Sequence, residues 1–336
     1  MRTPLSARAL VVATTALLLL APGAAVAHDD DRATRDRDRG LPTSYVLDPA
    51  GQADPDVFPE GIAVRGDTFF VGSTTDGTIY RGDVREGTAT PFLLPGNPEG
   101  RTSAIGMKVD GRTLFVAGGS TGQVFAYDVR SGELTGRWTV TDPAGSPTFL
   151  NDLVVDRSGD VYVTDSLRPV LYRIDARDRR TDGVQTLPPF VRFTGTALTY
   201  VEGFNVNGIA VSPDDRYLVL AQSNTGTLFR VGIRDRSVTP VDLDGQDVPG
   251  DGLVLRGRTL YVVDNRSADP AVVRVDLERD LTAGTVVSRT ADPSFAFPTT
   301  AASVGRSLLV VNSQFDARNA GRPPTLPFTV SRIPAP

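Results

Sequence analysis

Four side chains stand out for their type and spacing: Glu60, Asn151, Asn207 and Asp251. Each opens one copy of a recurring phrase, EGIAVRGDTFFVGS at Glu60, NDLVVDRSGDVYVTDS at Asn151, NGIAVSPDDRYLVLAQS at Asn207 and DGLVLRGRTLYVVDN at Asp251. Two further copies open on Ile105 and Thr299. Carboxylate and carboxamide oxygens are hard donors, and a set with two anionic and two neutral members suits a hard divalent cation. Ca2+ fits best because it accepts amide oxygens and irregular geometry; Mg2+ wants a stricter octahedron, and Mn2+ also takes such ligands. Four protein ligands leave places open for water or substrate, as a catalytic ion needs. Asparagine is scarce, 8 of 336 residues, so finding it at two of six aligned positions is informative. The plainer reading is that such residues cap turns at strand starts.

The elements that must position these groups are short strands. From Thr43 onward the chain alternates runs of Val, Leu, Ile, Phe and Tyr with Gly, Asp, Asn, Ser and Pro turns, and no long segment has helical period. The six copies start 45, 46, 56, 44 and 48 residues apart. Most continue into a third strand, as in GTIYRGDV, GQVFAYDV, PVLYRID, GTLFRVGI and AVVRVDL. About four strands per period of this length predict an all-β fold, a six-bladed β-propeller, in which equivalent strand starts converge on one axis. The last copy lacks an outer strand, and Ser44-Tyr45-Val46-Leu47 is expected to supply it, closing the ring and hiding its edges. The long interval carries extra residues within 176–203, expected to add a fourth strand and a rim loop.

Composition narrows the chemistry. The chain has no Cys and one His, His28, so thiolate sites, iron–sulfur clusters, a Cys nucleophile and His-rich metal sites are excluded. Net charge is −5, and Lys108 is the only lysine among 35 basic residues, a balance that does not suit nucleic acid. Residues 1–27 read as a signal peptide: Arg2 and Arg8, an apolar run from Ala9 to Leu20, then Ala25-Val26-Ala27. That run is too short to span a bilayer, so a secreted protein cleaved after Ala27, with no membrane span, is expected. Residues 28–40 are charged with almost nothing to bury and are expected to be disordered. One monomeric domain is expected over 41–336.

The motifs resemble those of the senescence-marker-protein/gluconolactonase (regucalcin-like) propellers, over roughly Pro59 to Asn312. Glu60 in PEGIAV, Asn207 in NGIAVSPDDRYL and Asp251 in GDGLVLRGRTLYV look like that family's metal-binding motifs. Asn151 in LNDLVVDRSGDVYVTDS resembles its substrate-facing Asn, which in the related paraoxonases also touches the catalytic calcium. The resemblance implies a Ca2+-dependent lactonase or esterase acting on a small molecule, with Asp251 as general base and Asn151 touching substrate. Phe149-Leu150 stands where that family often places an Arg for a sugar acid, and the mature domain lacks the paraoxonase histidine dyad. The alternative is a secreted, non-catalytic propeller that binds a glycan or protein around a structural ion.

Overall fold

The computed structural model describes residues 40–51, 55–95, 99–141 and 145–336. The segment expected to be a signal peptide and nearly all of the charged segment after it lie outside those residues.

The strands form antiparallel meanders in chain order. The first is β2 (Pro59–Arg65), β3 (Thr68–Ser73), β4 (Ile79–Asp83) and β5 (Thr88–Leu93). The second is β6 (Met107–Asp110), β7 (Thr113–Ala117), β8 (Gln123–Asp128) and β9 (Leu134–Thr139). The third comprises β10 (Leu150–Val155), β11 (Val161–Asp165), β12 (Val170–Ile174) and β14 (Pro189–Arg192). The fourth comprises β15 (Val206–Val211), β16 (Tyr217–Gln222), β17 (Thr227–Gly232) and β18 (Val238–Pro240). The fifth comprises β19 (Gly250–Arg256), β20 (Thr259–Asp264), β21 (Ala271–Leu277) and β22 (Gly284–Thr290). The last has three consecutive strands, β23 (Pro298–Val304), β24 (Ser307–Asn312) and β25 (Thr329–Pro334). Its fourth is β1 (Ser44–Leu47), paired antiparallel with β25 through Ser44–Ser331, Tyr45–Val330 and Val46–Thr329. The same strand also lies parallel to β5, so the two ends of the chain share one eight-stranded sheet.

First strands touch one another in cyclic order, β2 to β6, β10, β15, β19, β23 and back to β2, so the meanders close into a propeller around an axis. Among the described residues one apolar cluster fills each gap between neighbouring meanders. Along β3, Phe69 and Val71 face the gap toward the last meander, while Phe70 between them faces the second. Successive strand residues point to opposite faces, and here both faces are buried. That is why the second strands read as unbroken apolar runs rather than as alternation.

The long interval resolves into two parts. A short strand, β13 (Val184–Thr186), leaves its own repeat and pairs parallel with β9 of the second meander. After β14, residues 193–205 run over the rim to the next inner strand. The fourth-strand expectation holds for β14, but the first part of the interval serves the neighbouring sheet. A five-residue helix, α1 (Phe315–Asn319), sits in the loop between β24 and β25.

Candidate functional site

Glu60, Asn151, Asn207 and Asp251 all lie at the same point of their inner strands, inside a β-bulge. Pairing shifts by one residue between Pro59 and Ile62, Leu150 and Leu153, Val206 and Ile209, and Gly250 and Leu253. Thr299 occupies the same kind of bulge between Pro298 and Ala301. In the second meander Ile105 N–H donates to Ala117 O, and Ala117 N–H donates to Gly106 O, so two residues again oppose one. A bulge re-aims a side chain that regular pleating would place against the sheet face, which makes it a natural device beside a site.

The backbone at these bulges is locked between meanders. Thr299 Oγ1 donates to Glu60 O (3.0 Å), Gly106 N–H to Asn151 O (2.7 Å) and Thr164 Oγ1 to Asn207 O (2.7 Å). Close approach explains the glycine after the bulge residue. A Cβ on Gly61 would lie 1.9 Å from Ile105 O, and one on Gly208 would lie 2.2 Å from Asp251 O. Gly208→Ala is therefore expected to push the fourth and fifth inner strands apart, at a cost of about 1–3 kcal/mol. Denaturant melts read the stability loss, and cation titration reads the displaced Asp251.

Burial sets the electrostatics. Glu60, Asn151 and Asn207 are buried, and Asp251 is half-buried as a residue. Burial, then the charges of Asp251 and Asp152, push the Glu60 carboxyl well above the usual carboxylate range. Burial also pushes Asp251 up to about 7, against the opposing effect of hydrogen bonds from Asn265 and Asn207 and the charge of Arg266. Asn265 Nδ2 donates to Asp251 Oδ2. Asn151 Nδ2 donates to Ser166 Oγ (2.9 Å), and Ser166 Oγ donates onward to Val206 O (2.8 Å). Two buried oxygens, Glu60 Oε2 and Asn151 Oδ1, have no hydrogen-bond partner among the described residues.

A third carboxyl joins the cluster that residue spacing alone did not single out. Asp152 stands in the third meander where Gly61, Gly106, Gly208 and Gly252 stand in four others. Its Oδ1 accepts from Leu153 N–H (2.8 Å) and its Oδ2 from Ile209 N–H (3.3 Å). Burial raises its pKa, opposed first by the charge of Lys108. Lys108 lines an axial cavity of about 270 Å³ whose other walls are mostly apolar, including Ile62, Val154, Ile209 and Leu253. A larger cavity of about 650 Å³, at Arg65, Arg81 and Arg130, shares no residue with this cluster.

The donor set fits a hard cation. It offers only oxygen, two of its buried acceptors lack partners, and burial raises its carboxyls. Among the described residues no group of three or more His, Cys, Asp or Glu side chains is arranged to hold a metal, so half of the candidate shell rests on the two amides.

No family model matches this chain, and no curated protein does. Solved structures do. The Malassezia sympodialis allergen Mala s 1 superposes with a TM-score of 0.61 at 14% identity, covering 87% of this chain and 96% of its own. The calcium-binding protein regucalcin from Agrobacterium tumefaciens gives 0.56 at 18% identity, covering 87% and 97%. A 6-phosphogluconolactonase-like protein from Bacteroides uniformis gives 0.51 at 13% identity, covering 79% and 80%. These likenesses show the fold. The chain is a β-propeller.

Proposed function

We propose that this propeller is a secreted, cation-dependent hydrolase of lactones or esters, with Glu60, Asn151, Asn207 and Asp251 holding Ca2+. The observation that carries the reading is the pair of buried, unpartnered oxygens, Glu60 Oε2 and Asn151 Oδ1, beside a carboxyl whose proton affinity burial raises to near neutrality. Leaving such acceptors unsatisfied in a native interior is costly, and a cation satisfies them. When bound, Ca2+ supplies positive charge that polarises a carbonyl and steadies the developing oxyanion. Asp251 then acts as general base. Asn265 and Asn207 fix its carboxyl, which would take a proton from water and return it to the leaving alcohol. Glu60 remains a ligand, and the Asn151–Ser166–Val206 relay fixes the amide that contacts substrate. No Ser–His pair exists in 41–336, so the water attacks directly and no acyl-enzyme forms. Calcium binding by regucalcin and the lactonase-like name of the Bacteroides protein support the same reading.

The test is turnover of a panel of lactones and aryl esters by purified protein, with chelator and after return of Ca2+, Mn2+ or Mg2+. Chelator-sensitive hydrolysis restored by the cation is expected. Cation binding without turnover of any substrate would support the binding propeller with a structural ion instead.

A further inference from the structure

We propose that the rim beside the site receives an apolar acyl or aryl group, so that the substrates are lipophilic esters or lactones rather than polyhydroxylated sugar lactones. This rests on the hydrolytic reading above and names its substrate class.

The rim segment 193–205 displays two large apolar side chains to solvent, Val201 at 51% exposure and Phe204 at 40%. It does not do so through laxity. Asn205, almost fully buried, uses its whole amide on the segment and its support: Oδ1 accepts from Val201 N–H (2.8 Å) and Gln222 Nε2 (2.9 Å), while Nδ2 donates to Val201 O (2.8 Å) and Gly203 O (2.9 Å). Gln222 Nε2 also donates to Thr199 O (2.9 Å), Tyr200 OH to Asp165 O (2.6 Å) and Asn224 Nδ2 to Glu202 O (3.0 Å). The backbone is thus fastened from below: Phe193 and Leu198 are turned into the core, while Val201 and Phe204 are left partly facing water. A loop that only bridged two strands would gain by turning them inward.

These side chains adjoin the site. Phe204 meets Phe149 edge-to-face, with ring centroids 4.9 Å apart and planes at 83°. Phe149 lies two residues before Asn151 and Phe204 three before Asn207, so the pair stands within about 7–10 Å of chain from the candidate ligands. A polyol packed here would lose hydroxyl hydration with no partner in return, whereas an acyl chain or aryl ring gains by leaving water.

The experiment uses 4-nitrophenyl esters from acetate to octanoate and an aldonolactone, with Ca2+-loaded protein and the variants Phe204→Ser and Val201→Ser. We expect kcat/KM to rise about two- to four-fold per methylene until the wall is covered. Phe204→Ser should cost about tenfold on octanoate and less than about twofold on acetate, the lost contact with Phe149 lowering Tm by only about 2–5 °C. A flat chain-length series, preference for the aldonolactone, or equal losses on both esters would overturn the proposal. No turnover across the panel sinks the hydrolytic reading itself. Calorimetric titration with octanoate against gluconate then reads the rim alone: octanoate binding lost in Phe204→Ser upholds the apolar subsite, and its absence in the parent protein overturns it.

Discussion

Asp251→Asn is expected to lower kcat/KM for an aryl ester by about 10³-fold while the protein stays folded and still binds a divalent cation, more weakly. The amide keeps an oxygen for the ion but cannot accept the proton of an attacking water. Glu60→Ala should behave differently. It removes an anionic oxygen that nothing else in the site replaces, so cation binding and hydrolysis should both disappear. Calorimetric Ca2+ titration beside steady-state kinetics separates the two roles. Full turnover in Asp251→Asn would remove Asp251 from the chemistry, and unchanged Ca2+ affinity in Glu60→Ala would remove the cation from this cluster.

In chelator the protein is expected to become less stable as pH rises from about 4 to about 8, and added Ca2+ should reverse the loss. Asp251 has an ordinary value of 3.8 and is pushed up to about 7 when folded; Glu60 and Asp152 are shifted in the same direction. Between those values the folded state holds more protons than the unfolded one, so unfolding free energy falls as pH rises through that window. Exposed carboxyls such as Asp83, lowered to about 2 by Arg85, act oppositely but only below about pH 4. The chelated protein should therefore be most stable near pH 4. Calorimetric Tm at pH 5 and 8 checks this, with a fall of about 5 °C or more expected in chelator and recovery in Ca2+. A Tm indifferent to pH, or to Ca2+ at pH 8, would show that the carboxyls are not buried without a compensating charge.

The repeat was legible because the propeller stacks equivalent strands with both faces buried, so each copy carries the same apolar runs at the same spacing. Closure by Ser44–Leu47 was legible for a related reason: an incomplete last copy leaves an edge that only a strand from the other end can cover. Alignment of first residues placed Glu60, Asn151, Asn207 and Asp251 at one bulge position, although the bulge itself leaves no mark in composition. Asp152 was harder to see, since it adjoins an expected ligand and its role depends on contact with another strand, Ile209 N–H. The signal was there in outline, an acid standing where four copies have glycine. Asn265 was foreshadowed only by the Ser, Asp or Asn that ends each phrase; in four other copies the residue here is Ser or Thr and bonds a backbone carbonyl. The crossing of β13 to the second meander depends on which edge is free, a property of neighbouring sheets rather than of Val184–Thr186.

The direction of β1 fixes how the molecule can be presented. Ser44 pairs with Ser331, and Pro334 pairs with Ser307 at the start of β24, whereas the four candidate ligands sit level with the far end of that strand, where Asn312 pairs with Pro298. The backbone thus enters and leaves on the side away from the ligand-bearing bulges. A tether joined at either place would hold the disc from behind, with its mouth turned outward to whatever diffuses past.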